Sequence, residues 1–188
     1  ISKCFENFVS QALGVLTRIY AAELRTYMKK QVLLLLMTVI FALNIHAQLP
    51  KVYNENINQM TQIDEAISKA KQANKFVVCQ LGGNWCPWCL RFADFITKDA
   101  AISKVIADNY VYIHVNYHPR KSAPEGMLKR LGYPQRFGFP VFVILNGDGK
   151  VVHIQDSSLL EEGQGYSPKK VLSFFKHWTP NAVAGKAE

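Results

Sequence analysis

The chain has 188 residues, of which 49% are hydrophobic and 19% are charged, which is the balance of an ordinary globular protein and enough for one domain. Its formal net charge is +8, but the basic residues are neither interleaved with aromatic residues nor part of a nucleic-acid motif. The composition therefore argues against a nucleic-acid partner.

Residues 28–47 have the composition of a secretory signal peptide. A short basic start at residues 28–30 precedes an apolar stretch at 32–43 and a small-residue end at Ala47. This pattern predicts export and a mature protein that begins at Gln48. Because no lipobox cysteine is present, we expect a bacterial periplasm. The apolar stretch is shorter than the roughly 20 residues of a membrane span, and an uncleaved membrane anchor is the alternative.

Residues 1–27 precede this predicted signal peptide and are interpreted as an upstream extension outside the fold, together with Cys4. In residues 48–188, 17 Lys and Arg against 12 Asp and Glu leave a formal charge of +5. Five basic residues fall in one stretch: Arg120, Lys121, Lys129, Arg130 and Arg136. Such a stretch is typical of a solvated face, and a preference for acidic partner surfaces is the alternative.

Residues 48–58 are a polar lead-in, residues 59–180 carry the pattern of a folded domain, and residues 181–188 are a tail. Periodicity and turn residues predict five helices, in chain order at residues 57–74, 85–96, 101–108, 125–131 and 167–178. Apolar runs predict four strands, at residues 76–81, 110–115, 141–145 and 150–155, the last two joined by an Asn-Gly-Asp-Gly hairpin turn.

This order predicts an α/β fold with a mixed sheet. Strands separated by helices imply parallel pairing with crossovers, and the late hairpin adds an antiparallel edge. The second predicted helix follows the first strand directly. It therefore begins at the carboxyl end of a central strand, where open α/β sheets place their chemistry.

The sequence Trp-Cys-Pro-Trp-Cys at residues 85–89 opens that helix and places two thiols one helical turn apart. Such a pair can close a disulfide or open to a dithiol. At a helix N-terminus, unpaired backbone N–H groups and the macrodipole stabilise a thiolate, which is the nucleophile of thiol–disulfide exchange. One close pair plus Cys79 is not the cysteine pattern of a small domain stabilised by several disulfides. The pair therefore indicates a chemical role rather than a structural one.

The motif at residues 85–89 is accompanied by Gly-Phe-Pro at residues 138–140, just before the hairpin. With these two motifs, residues 60–178 resemble the thioredoxin family. The resemblance implies a three-layer thioredoxin-like fold, with flanking helices and a C-terminal hairpin plus helix. It also implies an exported thiol:disulfide oxidoreductase that needs no metal, flavin or nucleotide cofactor.

The resemblance assigns roles to the matching residues. Cys86 would attack a substrate disulfide and Cys89 would resolve the mixed disulfide, leaving a redox-active Cys86–Cys89 disulfide. The bond between Phe139 and Pro140 would be cis, and backbone groups of Phe139 would pair an extended substrate segment. A strand-entry proline with a trans bond is the alternative for Pro140.

Trp85 and Trp88 would complete the substrate-binding surface, Trp85 by shielding one side of Cys86. Pro87, Trp88 and Gln80 are expected to tune the reduction potential. Related strong oxidants carry a His beside the second cysteine, whereas Trp88 offers no charge. This difference favours a reductase, and the reverse direction would make the protein an oxidase or isomerase.

The sequence departs from the thioredoxin pattern in two places. Thioredoxins carry a buried Asp six residues before the first cysteine, and that position is Gln80 here. The Lys that usually accompanies the Asp corresponds to Tyr112. Proton transfer at Cys89 must therefore use water or another group, or be slower. In addition, residues 116–135 are predicted to be an insertion beside the active site.

The cysteine pair, His114 and Cys79 each have competing interpretations. Cys-x-x-Cys is also half of a zinc site, which would need two further ligands, and His114 and His118 are the candidates. His114 is otherwise expected to be a satisfied structural histidine on one face of the sheet. Cys79 is interpreted as core filler, with a regulatory third thiol as the alternative.

The sequence thus predicts a thiol–disulfide oxidoreductase whose partners are disulfide- or dithiol-bearing proteins and a membrane redox partner that recharges it. Neither metal nor nucleic acid is expected. The alternative from another class is a thioredoxin-like binding module whose cysteine pair is not catalytic, and the missing buried acid keeps that alternative open.

Overall fold

The computed structural model describes Arg18, Tyr20, residues 23–37 and residues 49–186. The chain divides into two compact units, residues 1–48 and 49–188. In the first unit, residues 23–37 are helical. Within the described residues, none of the helices combines the length and hydropathy needed to cross a bilayer. Cys4, the end of the predicted signal peptide and its cleavage point after Ala47 lie outside the described residues.

The second unit contains six α-helices and six strands among its described residues. The helices are α1 (Gln59–Gln72), α2 (Pro87–Lys98), α3 (Ala100–Asn109), α4 (Met127–Arg130), α5 (Pro168–His177) and α6 (Pro180–Val183). The strands are β1 (Phe76–Gly82), β2 (Tyr110–Asn116), β3 (Val141–Leu145), β4 (Val151–Asp156), β5 (Glu161–Glu162) and β6 (Gly165–Tyr166). Short 3-10 helices cover Pro134–Phe137 and Ser157–Leu160.

The main sheet has four strands in the order β2-β1-β3-β4. Strand β1 pairs parallel to β2 and antiparallel to β3, and β3 pairs antiparallel to β4. The helices α2 and α3 form the crossover between the two parallel strands. The predicted α/β fold with a mixed sheet, a central first strand and an antiparallel edge is therefore confirmed.

The sheet is covered on both faces, which explains why β3 is apolar along its whole length and β1 is apolar except at Gln80. One cluster of buried residues joins α1 to alternate residues of β1, among them Val77 and Leu81. The other cluster joins α2, α3 and α5 to the opposite face, with Phe92 and Phe142 in ring contact at 4.4 Å. Side chains of a strand alternate between faces, so a strand buried on both faces reads as a continuous apolar run.

The hairpin between β3 and β4 follows the predicted turn chemistry. The Asn146 side-chain oxygen accepts hydrogen bonds from the backbone N–H groups of Asp148 and Lys150. Gly149 has a φ of 76°, a conformation that a glycine adopts without steric cost. The turn thus fixes the antiparallel return strand that the sequence predicts.

Two small elements differ from the sequence interpretation. The start of the tail at residues 181–188 belongs to α6, where the Thr179 hydroxyl accepts a hydrogen bond from the Ala182 N–H and caps the helix. The strands β5 and β6 form a separate two-stranded sheet. Strands of two residues are too short for an alternating pattern, so the sequence gives no signal for them.

Candidate active site around Cys86 and Cys89

The two cysteines lie where β1 ends and α2 begins. Cys86 is the N-cap of α2, and Pro87 is its first helical residue. The structure contains a disulfide between Cys86 and Cys89. Both residues are buried, with 4% of Cys86 and none of Cys89 exposed. Cys86 therefore lies nearer to the surface than its partner.

The start of α2 presents a hydrogen-bond donor to the first sulfur. The Cys89 backbone N–H donates to Cys86 Sγ at 3.2 Å, within the helix turn whose N–H groups have no helical acceptor. A thiolate at Cys86 would be stabilised by this bond and by the helix dipole. Cys89 is fully buried, and burial disfavours its thiolate because the charge is removed from water.

Aromatic side chains surround one side of the pair. Trp85 is 42% exposed, and its indole N–H donates to the Tyr117 carbonyl at 2.9 Å. Its ring meets His118 and Phe139 edge-on, at 5.2 and 5.5 Å between centroids. The peptide bond between Phe139 and Pro140 is cis, and Pro140 is buried. Trp85, Phe139 and Pro140, which the sequence predicts as substrate-binding residues, thus gather beside Cys86.

Trp88 lies on another flank. Its ring packs edge-on against Tyr166 at 5.5 Å, and the Tyr166 hydroxyl donates to the Trp88 carbonyl at 3.2 Å. The Arg91 guanidinium lies over the Trp88 ring at 4.7 Å from its centroid. The sequence analysis missed both neighbours, although the spacing of three residues from Trp88 to Arg91 on a helix is a usable signal.

The segment at residues 116–135, which the sequence predicts to be an insertion, contacts the candidate site. The Tyr117 N–H donates to the Gly82 carbonyl at 2.6 Å, which extends the parallel pairing beyond β2. Its ring lies 5.5 Å from that of Phe139. The start of this segment, at Tyr117, therefore holds the Trp85 indole in place.

Gln80 is fully buried beneath the cysteines, and both the nitrogen and the oxygen of its side-chain amide are hydrogen-bonded. Nε2 donates to the Tyr53 hydroxyl at 2.7 Å and to the Cys89 carbonyl at 2.9 Å. Oε1 accepts from the Tyr112 hydroxyl at 2.6 Å. The two positions that differ from thioredoxins, Gln80 and Tyr112, are thus bonded to each other as a neutral pair.

The sequence analysis also missed Tyr53 and Asn84. Tyr53 comes from the predicted lead-in and is 4% exposed, in a buried cluster with Cys86 and Cys89. The Asn84 side-chain oxygen accepts from the N–H groups of Val52 and Tyr53, and its amide donates to the Tyr53 carbonyl. Asn84 stands between a pair of glycines and the Trp-Cys motif, and this position was a weak sequence signal of a role in the site. Tyr53 had no sequence signal.

His114 is a correction to the sequence interpretation. Its Nε2 is buried and has no hydrogen-bond partner among the described residues, so it is not a satisfied structural histidine. The ring lies between Tyr53 and Tyr112, at 5.2 and 5.4 Å from their centroids. Burial lowers the pKa of His114 to about 4.

The alternative interpretations of the other residues gain no support. Among the described residues, no group of three or more His, Cys, Asp or Glu could hold a metal ion. Cys79 is fully buried in the cluster beneath α1, and burial raises the pKa of its thiol to about 12. Within the basic stretch, Arg130 forms an ion pair with Asp64 at 2.7 Å, so this guanidinium already has a partner.

Comparisons with known proteins agree with this architecture. Residues 58–147 match the family model described as thioredoxin-like. A solved structure of a disulphide isomerase from Xylella fastidiosa Temecula1 is similar, at 24% identity and a TM-score of 0.56, covering 66% of this chain and 93% of that one. A DsbH oxidoreductase is more distant, at 19% identity and a TM-score of 0.40, over 71% of this chain and 93% of that one. No curated protein matches the sequence.

A helix that starts with a cysteine pair at the end of a central strand, beside a sheet with the order β2-β1-β3-β4, defines a thioredoxin-like domain. The residues that the thioredoxin-like family model matches, 58–147, contain α1 to α4 and strands β1 to β3, and so include the cysteine pair. The cysteine pair has Cys-x-x-Cys spacing and is at disulfide distance.

The buried His114 predicts a loss of stability in acid. Its folded pKa of about 4 lies below the unfolded value of roughly 6.5, so the unfolded chain binds more protons between these values and stability falls as pH drops through this range. Lowering the pH from 7 to 4.5 should cost about 2 kcal/mol through this group. His114→Phe should remove that loss in urea denaturation, because it keeps the ring and removes the titration.

His177→Gln is the matched control, since His177 is exposed on α5. Acidic groups titrate in the wild type and in both variants. The contribution of His114 is therefore the difference between the wild type and His114→Phe in the stability lost from pH 7 to 4.5. Equal losses of stability in the wild type and His114→Phe would contradict the assignment.

Proposed function

We propose that this protein is a thiol–disulfide oxidoreductase that exchanges disulfides with protein substrates through Cys86 and Cys89. The observation that carries the proposal is the disulfide-bonded pair at the N-terminus of α2, with Cys86 Sγ accepting the Cys89 N–H. This arrangement stabilises a thiolate at the more accessible cysteine and keeps the second thiol within reach.

In the proposed reaction, the Cys86 thiolate attacks one sulfur of a substrate disulfide, and the other substrate sulfur leaves as a thiolate that takes up a proton. Cys89 loses its proton and attacks Cys86 Sγ, which closes the Cys86–Cys89 disulfide and releases the second substrate thiol. The substrate gains two electrons and the protein loses two. No metal or organic cofactor enters these steps.

The proposed substrate is an extended protein segment that carries a disulfide. Backbone groups of Phe139, next to the cis bond to Pro140, would pair with it, while Trp85 and Trp88 would contact its side chains on two flanks. The exposed indole of Trp85 and its support by Tyr117 favour this role. Pro87, Trp88 and Gln80 are proposed to tune the potential of the pair.

Export is part of the proposal. The composition of residues 28–47 supports a signal peptide, a periplasmic location and a membrane redox partner that returns the pair to the dithiol. An uncleaved signal that anchors the protein is the alternative. The boundaries between lead-in, domain and tail, at residues 48–58, 59–180 and 181–188, also stay predictions.

A binding module with a non-catalytic cysteine pair is the second candidate. The observation that favours it is Gln80, whose neutral amide cannot take a proton from Cys89. Under this alternative the aromatic surface around Trp85 would hold partner proteins, and loss of either thiol would leave binding unchanged.

Replacing the attacking thiol separates the two candidates. Cys86→Ser should abolish insulin reduction by the full chain in the presence of dithiothreitol, with a loss of at least about a hundredfold, because the hydroxyl is not ionised near neutral pH. The readout is the turbidity of precipitated insulin chains.

Cys79→Ala is the matched control, because Cys79 is a buried thiol outside the site, and it should retain wild-type activity. Insulin reduction that survives in Cys86→Ser would reject the proposed mechanism. An inactive wild type would favour the binding module.

The direction of the reaction is tested by the reduction potential of the Cys86–Cys89 couple. The uncharged Trp88 beside Cys89 predicts a reducing couple near about −270 mV, whereas strong oxidants lie near about −120 mV. Equilibration of the full chain with glutathione buffers, with the two redox forms quantified by mass spectrometry, gives the value. A couple near the oxidising end would show that the protein oxidises its substrates.

A further inference from the structure

In the oxidised protein, no described residue accepts a hydrogen bond from the Tyr53 hydroxyl. The orientation of the Gln80 amide explains this, because the Cys89 carbonyl can only accept and therefore faces Nε2. The second hydrogen of Nε2 then goes to the Tyr53 oxygen, which acts as the acceptor. The O–H of Tyr53 is left available to another partner.

One candidate for that partner is the sulfur of Cys89. A Cβ atom on Gly82 would lie 2.5 Å from Cys89 Sγ and 2.9 Å from the Tyr53 hydroxyl oxygen. Both atoms therefore lie against the same small area of backbone at the end of β1. Tyr53 also belongs to the buried cluster that contains both cysteines.

The hydroxyl is held in place from two directions. Asn84 binds the backbone of Tyr53 on both sides, through the Tyr53 N–H and its carbonyl. Gln80 binds the hydroxyl oxygen and is itself fixed by Tyr112. Burial raises the pKa of Tyr53 far above its ordinary value, so the phenol keeps its proton and remains a donor near neutral pH.

We propose that the Tyr53 hydroxyl donates a hydrogen bond to the Cys89 thiolate when that thiolate forms, and so promotes the resolving step. This inference rests on the proposed function. A disulfide sulfur is a weak acceptor and leaves the donor unused, whereas a thiolate is an anionic acceptor that forms a charge-assisted bond. Tyr53 would thus favour the Cys89 thiolate by hydrogen bonding, which differs from the proton removal expected of the buried Asp in thioredoxins.

The chemistry of the step balances without an added reactant. The Cys89 thiol releases its proton to solvent, and its thiolate attacks the sulfur of Cys86 in the mixed disulfide. The bond between Cys86 and the substrate breaks, and the leaving substrate thiolate takes up a proton from solvent. Tyr53 donates a hydrogen bond to the Cys89 thiolate while it exists and keeps its own proton.

Few other groups near Cys89 can influence this titration. Among the described residues, the titratable side chains around Tyr53 and Cys89 are Cys86 at the start of α2, Tyr112 and His114 on β2, and Tyr166 on β6. Cys79 on β1 belongs to the other cluster, beneath α1. No carboxylate is buried among the described residues. The Tyr53 hydroxyl, which lies against the same backbone as the sulfur, is the donor that the proposal assigns to it.

The test is Tyr53→Phe in the full chain, which removes the hydroxyl and keeps the ring. Reduced protein is mixed with oxidised glutathione between pH 5 and 9, quenched with acid, and the mixed disulfide at Cys86 is quantified by mass spectrometry. Its formation should stay within about twofold of the wild type. Its resolution should slow by about tenfold at pH 7, as expected for the loss of one charge-assisted hydrogen bond.

Tyr110→Phe is the matched control. Tyr110 is also 4% exposed, and its hydroxyl donates to the Phe175 carbonyl at 2.6 Å in the other core cluster. This variant should resolve the mixed disulfide at the wild-type rate. An equal slowing in both variants would overturn the proposal, because it would reflect a general loosening of the fold.

A second measurement does not depend on turnover. In a Cys86→Ser background, carbon-13 NMR of labelled cysteine follows the ionisation of Cys89 with pH, with and without Tyr53→Phe. Loss of the hydroxyl should raise the pH of half-ionisation by about one unit, the equivalent of a tenfold effect.

The outcomes separate this inference from the function on which it rests. If the wild type performs exchange and Tyr53→Phe changes neither the resolution rate nor the Cys89 titration, the role of Tyr53 is wrong. If the wild type performs no exchange, the proposed function fails, and an unchanged NMR titration would then reject the Tyr53–Cys89 bond independently.

Discussion

The site depends on the close approach of α2 to the end of β1 at Gly82. No side chain fits at this position, because a Cβ atom would collide with Cys89 Sγ. The sulfur can therefore lie directly against the strand, which buries Cys89 and leaves Cys86 at the helix start. The Gly82 carbonyl also accepts a hydrogen bond from the Tyr117 N–H. Gly82 therefore helps to position Tyr117, whose carbonyl binds the Trp85 indole.

The polar groups beneath the pair form a neutral system rather than an acid–base pair. Gln80 joins the hydroxyls of Tyr53 and Tyr112 to the Cys89 carbonyl, with both N–H groups and the oxygen of its amide hydrogen-bonded. A buried amide whose nitrogen and oxygen are both hydrogen-bonded is stable in the core, whereas a buried carboxylate would need compensation. This arrangement gives hydrogen-bond donors but no base, so proton removal from Cys89 falls to solvent in the proposed mechanism.

Sequence reasoning succeeded where the signal was local. The apolar run of β1, the Asn146 turn and the cysteine pair at the start of α2 are short-range patterns, and each lies where it was predicted. It failed where contacts join distant parts of the chain. Tyr53 meets Asn84 across 31 residues, and neither periodicity nor a motif marks that contact. The orphan Nε2 of His114 was likewise invisible, because alternation along a strand predicts which face a side chain occupies but not its hydrogen-bond partners.

The central claim is that Cys86 is an activated thiol and that Cys89 is a protected one. The most direct measurement is the pH dependence of iodoacetamide alkylation of the fully reduced chain, resolved for each cysteine by peptide mass spectrometry. The account predicts that Cys86 reacts first, with a midpoint below the ordinary thiol value of about 8.5, while Cys89 and Cys79 react far more slowly. Faster reaction at Cys89, or a Cys86 midpoint at or above that value, would contradict it.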